Sequence, residues 1–128
     1  MSNALVIFVQ DKIRDEQLTI EDCSIPLAIK SRCESLFDTV YFSIPKEYRG
    51  VLNEIGVVRQ SHDIAFWKSL LKDTDHDLFA LVQADAWFLD PAVLSEMIDL
   101  HRKYISEFTF SENLPEGIGG EIMSRSLI

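Results

Sequence analysis

Cysteine, glycine and basic side chains are scarce in this chain, and each scarcity closes off a class of function. Only two cysteines, Cys23 and Cys33, occur in 128 residues. They form no C-x-x-C pair, and three scattered histidines cannot complete a zinc set of usual spacing. Two such cysteines read as reduced, semi-buried thiols of a cytoplasmic protein rather than as a disulfide. Lys and Arg number 12 against 21 Asp and Glu, a net charge of 12 − 21 = −9 at pH 7 with His neutral. With a pI near 4.7 and no local cluster of Lys or Arg, the surface repels phosphate backbones and anionic bilayers. That argues against nucleic acid and against a membrane as partners. An anionic ligand would need a divalent cation or backbone N–H groups to neutralise it. Long apolar runs are also missing. The first, Ala4–Val9, has no basic flank and is too short for a signal peptide or for the about 20 residues of a membrane span.

What remains is an ordinary globular mixture, 47% hydrophobic and 26% charged. It is enough apolar mass for one cored domain over residues 1–128 and too much for disorder. Ala4–Val9 is a continuous, β-branched run, as in a strand buried on both faces of a parallel sheet. Gln10–Asp22 is polar and reads as a long loop. Ser24 is placed to cap a helix whose first turn tolerates Pro26, with Ile25, Ile29, Cys33, Leu36 and Phe37 on one stripe. Thr39–Ser43 is a second strand. Pro45 opens a short helix with Tyr48, Val51, Leu52 and Ile55 inward and Gly56 as its stop. Val57-Val58 follows as a short strand, and a helix from Ser61 or His62 packs Ile64, Trp67, Leu70 and Leu71. Leu78–Val82 is the clearest internal strand. Asp90-Pro91 starts a helix, an acceptor at the cap and proline at the first position, with Leu94, Met97, Ile98, His101 and Tyr104 on its stripe. Phe108–Phe110 alternates like a last strand, and Glu121–Leu127 reads as a short final helix. Strands alternating with amphipathic helices predict a three-layer α/β/α, Rossmann-like fold around a mostly parallel sheet of about five strands.

In such a sheet, ligands gather outside the carboxyl ends of the strands, at a switch in strand order. Asp85, just after Leu78–Val82, takes that position. A carboxylate there either caps a turn or holds Mg²⁺ or Mn²⁺ against phosphate oxygens. Asp90 is better explained as the helix cap. Trp87 either packs over the crevice or stacks on a base.

The run Leu81-Val-Gln-Ala-Asp-Ala-Trp-Phe-Leu-Asp-Pro91, followed by Leu94 and Ile98, resembles the metal-binding strand end of GT-A-type nucleotidyltransferases, cytidylyltransferases of sugar activation among them. The tail from Glu107 to Gly117, with Gly120-Glu-Ile122, is similar to the N-terminal region of spirochaete proteins that carry such a segment before radical SAM and SPASM domains. The resemblance implies a nucleotide-diphospho-sugar-transferase-like fold in which Asp85 binds the cation that holds a nucleotide or nucleotide sugar. It also implies a radical SAM/SPASM domain as a possible attached partner. Lys12, Arg14, Gln83 and Trp87 are then the candidate nucleotide contacts, and Glu121 is the late acid nominated as a second carboxylate.

Three departures bear on activity. Family enzymes cradle the phosphates in a glycine-rich, Arg-containing loop after the first strand, through backbone N–H groups. Here Val9 leads to Gln10-Asp-Lys-Ile-Arg-Asp15, which has no glycine. Trp87 stands where the family's proline follows the aspartate. Active members are usually longer. These departures favour a degenerate, non-catalytic binding or interaction module over the alternative, a divalent-metal-dependent nucleotidyltransferase acting on a sugar or alcohol acceptor.

Other motifs point nowhere. Asp73–Asp77 fails the calcium-loop pattern, because Leu78 and Ala84 fill the positions that need glycine and glutamate. Gly117-Ile-Gly-Gly120 lacks the dinucleotide spacing. No G-x-S-x-G elbow occurs, and His101, on an apolar stripe, reads as a satisfied half-buried histidine. A flavodoxin-like or receiver-like domain would leave the Asp85–Pro91 run unexplained.

Overall fold

The early apolar run is paired along both of its edges. In the computed structural model, strand β1 (Asn3–Phe8) runs parallel to β4 (Thr39–Ile44) on one side and to β6 (Leu78–Gln83) on the other. All six residues of β1 are buried, as an apolar strand inside a parallel sheet must be. Residues 2–10, 13–58, 68, 75–87, 89–104, 107–110 and 120–125 are described.

The sheet is completed by β5 (Val57–Val58), parallel to β4, and by β8 (Glu121–Ser124) and β7 (Phe108–Thr109) beyond β6. Its order is β5-β4-β1-β6-β8-β7, with β8 antiparallel to both neighbours. The α/β class and the predominance of parallel pairing match the sequence expectation. Among the described residues the sheet has six strands, in keeping with the expected number of about five, and one of them, β8, starts where a short final helix was expected at Glu121–Leu127. Ile122 faces one side of the sheet opposite Ala80, and Met123 faces the other opposite Phe79. Two adjacent apolar residues satisfy a strand with two buried faces as readily as a helix stripe, and only the partner strand decides.

Helix α1 (Ile25–Cys33) is capped by Ser24, whose hydroxyl accepts from the Leu27 N–H. Helix α2 (Pro91–Lys103) is capped by Asp90, whose Oδ1 accepts from the Ala92 N–H at 2.9 Å. His101, Arg102 and Lys103 sit in its last turn, where the helix dipole favours cations. Both helices pack on one face. Ile25, Ile29 and Cys33 of α1, with Leu94, Met97 and Ile98 of α2, meet Leu5, Ile7, Ala80 and Val82 in one core cluster. Ala4, Val6, Phe8, Phe79, Leu81 and Met123 form a second cluster on the opposite face. The helix predicted from Ser61 or His62 lies, apart from Lys68, outside the described residues. Burial raises the Cys33 thiol above its ordinary pKa, a shift that the Arg32 charge partly opposes. Both cysteines are free, with Cys33 buried and Cys23 exposed.

Two loops differ from expectation. The stretch Gln10–Asp22 contains a 3₁₀ turn at Asp15–Leu18 and runs into a two-stranded ribbon, β2 (Thr19–Ile20) with β3 (Cys23–Ser24). The ribbon turns through Glu21 and Asp22 at φ 49° and 65°, the left-handed geometry that tight hairpins need. The helix predicted from Pro45 reduces to a 3₁₀ turn at Val51–Glu54. Tyr48 and Leu52 are buried, but Val51 and Ile55 are each 54% exposed. Asn53 explains this: its Oδ1 accepts from the Gly50 N–H and its Nδ2 donates to the Tyr48 carbonyl, drawing the backbone away from α-helical pairing. Tyr104 is exposed as well, because α2 ends one residue before it.

Two histidines close the periphery. His101, on α2, is buried, with Nδ1 2.7 Å from Thr109 Oγ1 and Nε2 2.7 Å from Ser124 Oγ. This bears out its reading as a satisfied histidine. His76, also buried, lies between Ser2 Oγ (2.7 Å) and Tyr41 Oη (3.0 Å). Among the described residues, no helix is long and apolar enough to cross a membrane.

Candidate functional site

Strand order creates the site. From β1 the chain crosses by α1 to β4 on one side, and later returns to β6 on the other. Connections that leave a strand pair in opposite directions open a crevice above the carboxyl ends of that pair. The backbone keeps β1 and β6 together past their formal ends, since the Ala84 N–H donates to the Phe8 carbonyl at 2.9 Å. Gln10 follows β1 and Asp85 follows β6, so the two meet at the switch point. Gln10 Nε2 donates to Asp85 Oδ1 at 2.9 Å.

The segment after β6 presents its side chains alternately. Ala84, Ala86 and Leu89 are buried, while Asp85 and Trp87 are exposed. Tight turns hold this pattern: Ala86 N–H to the Gln83 carbonyl, Trp87 N–H to the Asp85 carbonyl, and Leu89 N–H to the Ala86 carbonyl. Arg32, from the last turn of α1, fastens the segment from outside. Its guanidinium donates to the Trp87 carbonyl (3.1 Å) and the Leu89 carbonyl (3.4 Å). Small buried alanines thus pin the loop, and the acid between them is turned towards solvent at the sheet edge.

The other predicted site residues fall into place unevenly. Gln83 is the exposed last residue of β6, in register with Phe8. Glu121 is exposed at the start of β8 opposite Leu81, on the same edge of the sheet. Gly120 precedes it against β6. A Cβ there would lie 2.7 Å from the Leu81 carbonyl oxygen and 2.8 Å from Val82 Cγ1, so only glycine fits this approach. Trp87 is 55% exposed and stands two residues after Asp85. Arg14 is exposed and its Nε lies 3.5 Å from Glu16 Oε1, a solvent-screened pair of little strength. Lys12 lies outside the described residues. Gln10 and Arg32 are the two site residues that sequence reasoning misses. Gln10 stands one residue beyond the first apolar run, a position that acquires meaning once β6 is known to pair with β1. Arg32 carries no sequence signal.

Among the described residues, no group of three or more His, Cys, Asp or Glu side chains converges to hold a metal. The edge does offer hard oxygen donors. Asp85 Oδ1 is bound to Gln10, and Gln10 Oε1 is buried with no hydrogen-bond partner among the described residues. Asp85 therefore supplies one carboxylate, and the other ligands of a Mg²⁺ ion there would have to be waters and a bound molecule's phosphate oxygens.

A solved structure shares this architecture. A cytidylyltransferase from Leptospira borgpetersenii serovar Hardjo-bovis superposes with a TM-score of 0.74 at 18% sequence identity, over 98% of this chain and 61% of that one. The two chains share a fold. No family model and no curated protein sequence matches the chain. The chain therefore spans about three fifths of the length of the cytidylyltransferase it resembles, and at this identity the likeness concerns the fold alone.

Proposed function

We propose that this chain is a nucleotide-binding module built on the nucleotidyltransferase fold, one that does not transfer a nucleotide by itself. It would take a nucleoside triphosphate or nucleotide sugar, with Mg²⁺ or Mn²⁺, over the carboxyl ends of β1 and β6. The observation that carries this reading is the Gln10–Asp85 pair, an oriented carboxylate at the crevice that the strand order opens. Asp85 would ligate the cation through an oxygen, and Trp87, half exposed beside it, would stack on the base. Bound there, a divalent cation supplies positive charge to phosphate oxygens, which this acidic chain otherwise lacks. Gln83 and Glu121 would border the ligand from the neighbouring strands.

One observation favours binding without transfer. No glycine occurs between Val9 and Asp22, so the nest of backbone N–H groups that holds a reacting triphosphate has no easy route to form. The second reading, a metal-dependent cytidylyltransferase-like enzyme acting on a sugar or alcohol, is favoured by Glu121, which brings a second acid to the same edge. In the first reading the module acts beside a larger enzyme, of which a radical SAM/SPASM domain is the proposed example.

Calorimetric titration of CTP, UTP, GTP and ATP with Mn²⁺ tests both. Weak, metal-dependent binding that Asp85→Ala abolishes is the expected result. Binding untouched by Asp85→Ala would refute the site, and turnover of a triphosphate with any acceptor would establish the second reading instead.

A further inference from the structure

We propose that the turn after β4 is an anion subsite, where Lys46, with Arg49 beside it, receives the phosphate of a nucleotide lying over the crevice. The inference rests on the nucleotide reading above and holds whether or not Asp85 carries a cation. A chain of net charge −9, with no glycine between Val9 and Asp22, must meet a phosphate with side-chain cations from elsewhere on the sheet edge. Strand register shows where they stand. Phe8 is level with Ser43 on one side and with Gln83 on the other, and the Val9 N–H donates to the Ser43 carbonyl at 2.9 Å. Two residues further on, Gln10 comes level with Pro45 and Asp85, and Lys46 follows at once. Strands β4 and β6 flank β1, so their ends stand about 10 Å apart, twice the strand spacing. The long Lys46 side chain can close much of that gap towards a phosphate whose base lies beside Asp85 and Trp87.

The turn is fastened more firmly than a surface loop requires. Pro45 and Tyr48 are buried, while Lys46 and Arg49 are exposed. The Tyr48 N–H donates to the Pro45 carbonyl at 3.2 Å. Arg49 Nη1 donates to the Lys46 carbonyl at 2.9 Å and to the Tyr48 carbonyl at 2.7 Å. Asn53 ties the same turn through the Tyr48 carbonyl and the Gly50 N–H. The Arg49 guanidinium thus covers two carbonyl oxygens that would repel an anion, and its other N–H groups remain to donate to one. Among the described residues, Lys46 has no acid within ion-pair distance. The opposing charge on the turn is Glu47, exposed between the two cations, which leaves one net positive charge there.

The test follows backbone amides of the full chain by NMR, with Mg²⁺ present throughout. CMP, UMP, GMP and AMP are titrated, each beside its nucleoside. For the base that binds best, Lys46→Met should weaken the monophosphate about fivefold, the upper scale of one exposed ion pair, and leave the nucleoside unchanged. Glu47→Gln should tighten the monophosphate about twofold, again without effect on the nucleoside. Both effects should shrink as salt is raised. Neither exposed substitution should move the melting temperature. A monophosphate affinity untouched by Lys46→Met, or an equal loss of nucleoside affinity, overturns the subsite, while amide shifts at residues 83–87 keep the crevice reading. Ligands that leave residues 83–87 unshifted overturn the crevice reading and the subsite together.

Discussion

Replacing His101 by leucine isolates the bonds that tie α2 to the far edge of the sheet. The imidazole lies within 2.7 Å of both Thr109 Oγ1 on β7 and Ser124 Oγ on β8, and it is 2% exposed. Leucine keeps most of the volume and removes both hydrogen bonds. At about 1 kcal/mol for each buried neutral bond, the loss is roughly 2 kcal/mol. For a domain of this size that corresponds to a fall in Tm of about 7 °C. The pH dependence is the sharper test. Burial, reinforced by the Arg102 charge, lowers the His101 pKa below its ordinary value of 6.5. The unfolded chain therefore binds the proton first as pH falls, so the stability that His101 contributes is complete above about pH 6.5 and is lost as pH falls towards the depressed native pKa. Chemical denaturation followed by circular dichroism between pH 7.5 and pH 5 should show wild type and His101→Leu converging towards the acid end. A difference below about 0.5 kcal/mol at pH 7.5, or a gap that is constant or widens on acidification, would refute the account.

Arg32→Ala should free the Asp85–Asp90 segment by removing the two bonds to the Trp87 and Leu89 carbonyls. The expected stability cost is only about 0.5–1.5 kcal/mol, but amide exchange at residues 86–89 should accelerate while the β1 core amides stay protected. Gly120→Ala places a Cβ within 2.7 Å of the Leu81 backbone oxygen, which cannot move without breaking the β6–β8 ladder. A cost of about 1–3 kcal/mol in urea denaturation is expected, and a neutral substitution would show that β8 does not approach β6 so closely.

Much of the sheet is legible in the amino-acid sequence. Ala4–Val9 and Leu78–Val82 are apolar on both sides of the chain, and only a strand covered on both faces has use for that. Asp90-Pro91 announces α2 through a bond the cap must make, and His101 declares itself by falling on the buried stripe. Legibility ends where local chemistry allows two answers. Ile122-Met123 fits a strand or a helix. Residues 45–55 hold an apolar spacing that Asn53 defeats with two bonds to the backbone. Of the candidate site, the place of Asp85 is legible because a strand end is a local property. Its partner is not.

The sequence alone determined which segments must be buried, where α1 and α2 begin, and that an anionic ligand would meet an acidic surface. Those are matters of residue type and spacing along one chain. Which strands lie side by side was decided only by the tertiary structure, because pairing energy is spread over main-chain bonds that every residue type can make. That choice set β6 against β1, inserted β8 in the opposite direction, and brought Gln10 to Asp85 across 75 positions of sequence.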